Sequence, residues 1–218
     1  FNMRMKGEAY GMRALFMYYL LRAHGGYTAD GKLMGVPIIT KFQGAQDNFN
    51  LPRATFEECV KQINSDLDSA EYYLPVEYVS ITDESQIPER YKSVVSTKET
   101  YNRVMGEYAR QLFNGQIARA FRTRTALLAA SPAFQDASNT TTWADAANAA
   151  AKVLDYIGGV SGLAANGVTY YANNAEIDAL SGGINPKEVL WRENIQTNNT
   201  EQEEQNFPPS LFGKGFMN

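Results

Sequence analysis

The chain has 218 residues, 44% of them hydrophobic and 20% charged, with a formal net charge of −4; that length allows one or two domains with a sizeable core. One histidine, His24, and one cysteine, Cys59, exclude a histidine–cysteine zinc site and an internal disulfide. Lysine and arginine are scattered, which leaves no nucleic-acid footprint, and no window reaches the roughly 18–20 unbroken apolar residues of a membrane span.

The first helix is expected from about Met3 to Ala23. Apolar residues occupy nearly every face between Ala9 and Leu21, a pattern of burial on several sides. Gly25-Gly26 stops it, and His24 in its last turn suits the negative end of the helix dipole. Arg13 and Arg22 are read as partners for carboxylates on neighbouring helices. Residues 27–52 read as a loop, with Val36-Pro37-Ile38-Ile39 extended because proline biases its neighbour that way.

Thr55-Phe56-Glu57-Glu58 is a capping box. Phe56, Cys59, Ile63, Leu67, Ala70 and Leu74 follow at helical spacing as one apolar stripe, closed by Pro75. Cys59 on that stripe reads as a buried, inert thiol. Asp66 and Asp68 lie about 200° apart on a helix and read as solvated surface. From 76 to 114 the period weakens into a long connection, ordered by its tyrosines, with a short helix near 102–112.

Asn114 caps a third helix that ends at Ala130, ahead of Pro132. Arg119, Arg122 and Arg124 do not share one face and read as solvated or locally paired. A second capping-box start, Thr142-Trp143-Ala144-Asp145, opens an alanine-rich helix that Gly158-Gly159 ends. Trp143 reads as its packing anchor, and the alanines permit close approach to the third helix. The expected pairing is two antiparallel hairpins, with Ala150 and Ala151 in the second contact. Beyond it the chain is loop-rich, with Glu188-Val189-Leu190-Trp191 the one strand-like run. The polar, acidic stretch 196–205 then gives way to Phe207, Leu211, Phe212 and Phe216.

The fold class is therefore all-α: antiparallel helix pairs with long irregular loops. The lone histidine has no Gly-x-Ser-x-Gly elbow beside it, and no glycine run forms a phosphate loop. Nothing singles out a carboxylate pair, so no catalytic residue, metal site or cofactor is assigned.

Gly7-Glu8-Ala9, Arg13-Ala14, Tyr18-Tyr19-Leu20-Leu21, Gly25-Gly26 and Val36-Pro37-Ile38 resemble the opening helix and loop of SusD/RagB-type proteins, nutrient-binding outer-membrane lipoproteins of the Bacteroidota. Pro52-Arg53-Ala54-Thr55 with Asp66-Leu67-Asp68, Ala70 and Leu74-Pro75 resembles their second helix. Arg124 with Leu127-Leu128-Ala129-Ala130-Ser131-Pro132-Ala133-Phe134 resembles the third. Trp143-Ala144-Asp145-Ala146-Ala147 and Glu188-Val189-Leu190-Trp191 complete the order, collinear over roughly residues 4–195.

The resemblance implies a tetratricopeptide-like scaffold over 1–159 and a loop-rich, truncated continuation of the same domain over 160–218, part of a larger α-rich protein. It also implies non-catalytic capture of glycan or peptide at the cell surface and delivery to a SusC-like TonB-dependent transporter. The protein would be held at the outer membrane by a lipid anchor not present in this chain, since Cys59 is mid-helix. The alternative is a helical-repeat adaptor for another protein, with no nutrient ligand. The family's ligand residues sit in variable loops, so the candidates are loop aromatics and a polar neighbour: Tyr27, Asn48 and Phe49 after the first helix, and Tyr78, Tyr91 and Tyr101 in the long connection.

Overall fold

The structure is a computed structural model that describes residues 1–163 and 189–191. Among these are α1 (Asn2–His24), α2 (Phe56–Tyr73), α3 (Lys98–Met105), α4 (Gly115–Ala130) and α5 (Trp143–Tyr156). A two-residue antiparallel ribbon, β1 (Gly26–Tyr27) and β2 (Leu33–Met34), follows α1.

Local chemistry sets the helix starts. The Thr55 hydroxyl accepts from the Glu58 amide at 3.2 Å, while the Thr55 amide donates to Glu58 Oε2 at 2.8 Å. Thr142 and Asp145 repeat this box at the start of α5, and Asn114 Oδ1 accepts from the Ile117 amide to start α4. Each box satisfies amides that a helix start otherwise leaves free. After α5, Gly158 and Gly159 take φ of 93° and 72°, a left-handed turn that favours glycine.

The helices pair as two antiparallel hairpins. Along α1 and α2, Gly7 lies against Leu74, Arg13 meets Asp66, and Gly25 lies against Phe56. In the second hairpin Ala126 of α4 packs on Ala146 and Ala149 of α5, and Gln116 Nε2 donates to Val153 O at 3.1 Å. α4 joins the hairpins. Its Arg119 pairs with Glu71 of α2, and its Arg122 with Asp68 and Glu71, at 2.7–3.2 Å. It runs parallel to α1, with Phe113 at Gly11 and Phe121 edge-on to Tyr18. Gly11 is required by that approach, since a Cβ there would stand 2.3 Å from the Phe113 ring.

The main core lies where α1, α2 and α4 meet. Phe56, Cys59, Ile63, Leu67, Ala70 and Leu74, the whole expected stripe, are fully buried. They meet Ala14, Tyr18 and Leu21 of α1 and Ile117, Ala118 and Phe121 of α4. Burial of each large side chain contributes about 1.5–3 kcal/mol.

Several expectations change. Asp66 is not solvated surface: it is 1% exposed and takes a bidentate pair of bonds from Arg13 at 2.5 and 2.7 Å. Arg22 has no carboxylate partner among the described residues and lies over the Tyr18 and Tyr19 rings instead. α1 is not buried all round, because α2 and α4 cover one side and leave Phe16 and Leu20 about half exposed. Trp143, expected as a packing anchor, is 57% exposed. The alanines buried at the α4–α5 contact are Ala146 and Ala149, while the expected Ala150 is half-buried and Ala151 faces solvent. The helix of the long connection starts earlier too, because the Thr97 hydroxyl caps the Thr100 amide, and it ends at Met105. Val189, Leu190 and Trp191 form no strand.

Candidate ligand-binding site

Glu58, Lys61, Gln62 and Ser65 stand at spacings of three, one and three, which puts them on one polar face of α2. Opposite that face runs the 36–54 loop. Ile38, Leu51, Pro52, Arg53 and Ala54 form its inner side, and the two sides line a shallow, open groove of about 710 Å³. The loop is held by paired backbone bonds, Gly35 N–H to Ala54 O at 2.8 Å and Ala54 N–H to Val36 O at 3.2 Å. Arg53 locks it to the end of α1, donating from Nε to Gly35 O and from Nη2 to His24 O and Met34 O. Beneath the loop, Cys59 Sγ exchanges weak bonds with the Val36 backbone at 3.4 Å. Burial pushes that thiol up, which keeps it protonated and inert.

The groove has mixed character. Ile38, Leu51, Pro52 and Ala54 make one side apolar. On the other, the amide and hydroxyl of Thr55 hold the Glu58 carboxyl below its ordinary value, so it stays charged. Lys61 reaches across to Glu57 at 3.3 Å with its side chain 73% exposed, and Gln62 Nε2 donates to Asp66 Oδ1 at 3.0 Å. An apolar wall facing a fixed carboxylate, an ammonium, an amide and a hydroxyl suits a ligand with an apolar face and a polar rim. Among the described residues no three His, Cys, Asp or Glu side chains gather as metal ligands.

The candidates named from the sequence divide into three groups. Asn48 and Phe49 lie on the loop just ahead of Leu51; Phe49 is 64% exposed, and Asn48 Oδ1 accepts from the Asn50 amide. Tyr27 is exposed but lies elsewhere, donating to Gln135 O at 2.8 Å. Tyr78, Tyr91 and Tyr101 do come together, but in a second core with Ile87, Met105 and Ala109, each no more than 4% exposed. Tyr78 donates to Phe113 O at 3.0 Å and Tyr91 to Tyr73 O at 3.1 Å, and the Tyr91 and Tyr101 rings pack 5.9 Å apart. Burial pushes the Tyr91 hydroxyl up to about 12. A smaller, mostly apolar cavity of about 330 Å³ borders Tyr91 and Tyr101 beside Met3 and Val95. All three rings are thus buried in that core, and backbone carbonyls take the hydroxyls of Tyr78 and Tyr91. The polar α2 face was the residue set that sequence reasoning missed, although its helical spacing was there to be read.

The comparisons with known proteins bear on the first hairpin. The model of a SusD-like family, described as starch-binding and associating with the outer membrane, matches residues 2–110, half of the chain. Among solved structures, a SusD-like protein from Bacteroides fragilis matches at 19% identity over 69% of this chain, with a TM-score of 0.41. The chain spans about a fifth of that protein, 20% of its length. None of the curated proteins matches. With α1, α2, α3 and the grooved loop all inside the matched half, this chain belongs to the SusD-like family.

Proposed function

We propose that the protein is a non-catalytic glycan-binding component of an outer-membrane import system, and that this chain contributes the groove between α2 and the 36–54 loop. The observation that carries the reading is that groove's position within the family-matched residues, with an apolar wall facing a polar one. Sugar rings present an apolar face and a hydroxyl rim, which those two walls complement. Asn48 and Phe49 would extend the contact from the loop. The protein would act at the cell surface and hand its ligand to a SusC-like TonB-dependent transporter. Residues 160–218 would continue the same domain; those between 164 and 188 and beyond 191 lie outside the described residues.

Titration of the full chain against malto-oligosaccharides, other oligosaccharides and short peptides tests this. Saturable binding to an oligosaccharide, weakened about three- to tenfold by Gln62→Ala through loss of one hydrogen bond, is the expected result. Binding to none of them would overturn it and favour the reading as a helical adaptor for another protein.

A further inference from the structure

Four arginines of α1 and α4 meet carboxylates: Arg4 meets Glu8, Arg13 meets Asp66, Arg119 meets Glu71, and Arg122 meets Asp68 and Glu71. Arg22 and Arg124 differ. Both are exposed, neither has a carboxylate partner among the described residues, and both lie within 5.9 Å of the Tyr18 ring centroid. Around them Phe16, Tyr19, Leu20 and Leu127 stand 37–59% exposed, with Tyr19 edge-on to Phe121 across the two helices. Arginine and aromatic side chains on one helical face are the composition of a polypeptide interface, where they carry most of the binding energy.

We infer that this α1–α4 face is a docking surface for the chain's own residues 201–212. That segment, outside the described residues, carries Glu201, Glu203 and Glu204, then Phe207, Leu211 and Phe212. It offers carboxylates for two guanidiniums that have none among the described residues, and apolar side chains for the half-exposed ones. The tether is long enough. Trp191 is held at the start of α4, donating from Nε1 to Gln111 O at 2.9 Å and packing edge-on to Phe113. The roughly ten residues from Trp191 to Glu201 reach about 33–36 Å extended, and Arg124 lies only about 14 Å along α4 from Gly115. A second copy fits less well, because a two-fold contact would set these arginines against the same arginines.

The test is hydroxyl-radical footprinting of the full chain, with helical circular dichroism as the check on folding. Charge reversal at Glu201→Arg, Glu203→Arg and Glu204→Arg should raise labelling of Phe16, Tyr19, Leu20 and Leu127 about threefold or more, in keeping with the loss of two ion pairs and their packing. Adding Arg22→Glu and Arg124→Glu should bring the labelling back down, and protection should not depend on protein concentration. Equal labelling before and after reversal would overturn the inference, as would failure of the swap to restore protection. Protection that fades on dilution would overturn it in favour of a second copy. If the triple variant loses helix, Phe212→Ser replaces it and must raise the same labels; unchanged labels there would equally dismiss the segment.

Discussion

The paired helices and the long connection between them reach similar burial by different means. In α1, α2 and α4 an apolar period of three and four points one face of each helix inward, and Phe56, Ile63 and Leu67 are fully buried as a result. The connection from 76 to 114 has no such period. It buries Tyr78, Tyr91 and Tyr101 while giving two of their hydroxyls to backbone carbonyls, Tyr78 to Phe113 within the connection and Tyr91 to Tyr73 of α2. Periodic helices close a core through side-chain spacing, whereas an irregular segment closes one through specific hydrogen bonds, and only the first leaves a mark in the pattern.

The comparison breaks most visibly if the tyrosines are not structural. Tyr91→Ala should cost about 3–5 kcal/mol, as much as a large core residue of α2, because it empties ring volume in a closed cluster. Chemical denaturation would measure it, and a cost below about 1 kcal/mol would free Tyr91 for another role. Next in size is the pair that joins α1 to α2. Asp66→Ala should cost about 3 kcal/mol, near the lower end for a buried pair, because the Arg13 side chain is 31% exposed and water recovers part of its charge. A melting midpoint that hardly moves would return Asp66 to the surface.

Much of the scaffold was legible in the chain. The stripe from Phe56 to Leu74, the boxes at Thr55 and Thr142, and the cap at Asn114 are local patterns, and each formed as spacing dictates. Asp66 was not legible, because its burial depends on Arg13, 53 residues earlier, reaching across from another helix. The exposure of Phe16 and Leu20 depends likewise on which sides α2 and α4 cover. At the candidate site, the loop residues named from the sequence, Asn48 and Phe49, are not among the groove's lining, and the polar face of α2 that does line it looks by itself like any solvated face.

The second hairpin sharpens the comparison at a smaller scale. Ala149→Leu should overpack the contact with Ala126 and cost about 1–3 kcal/mol, while the exposed Ala151→Leu should cost little. Equal effects would mean that α5 packs in another rotation. Smallest is the capping effect. Because the Glu58 and Asp145 carboxyls are held below their ordinary values of 4.5 and 3.8, their contribution is complete above those values and lost as pH falls through the lower folded ones. Thr55→Ala should therefore cost about 1 kcal/mol at pH 7 and less at pH 3. An equal cost at both would remove the carboxylate from the cap.

The central claim is that ligand enters between α2 and the 36–54 loop. Nuclear magnetic resonance titration of the full chain with a malto-oligosaccharide tests it most directly. The account predicts saturable shifts at the amides of Lys61, Gln62, Ser65 and Phe49, with those of Tyr78 and Tyr91 unmoved. Shifts centred on Tyr91 and Tyr101, or no shifts along α2 at saturating sugar, would contradict it.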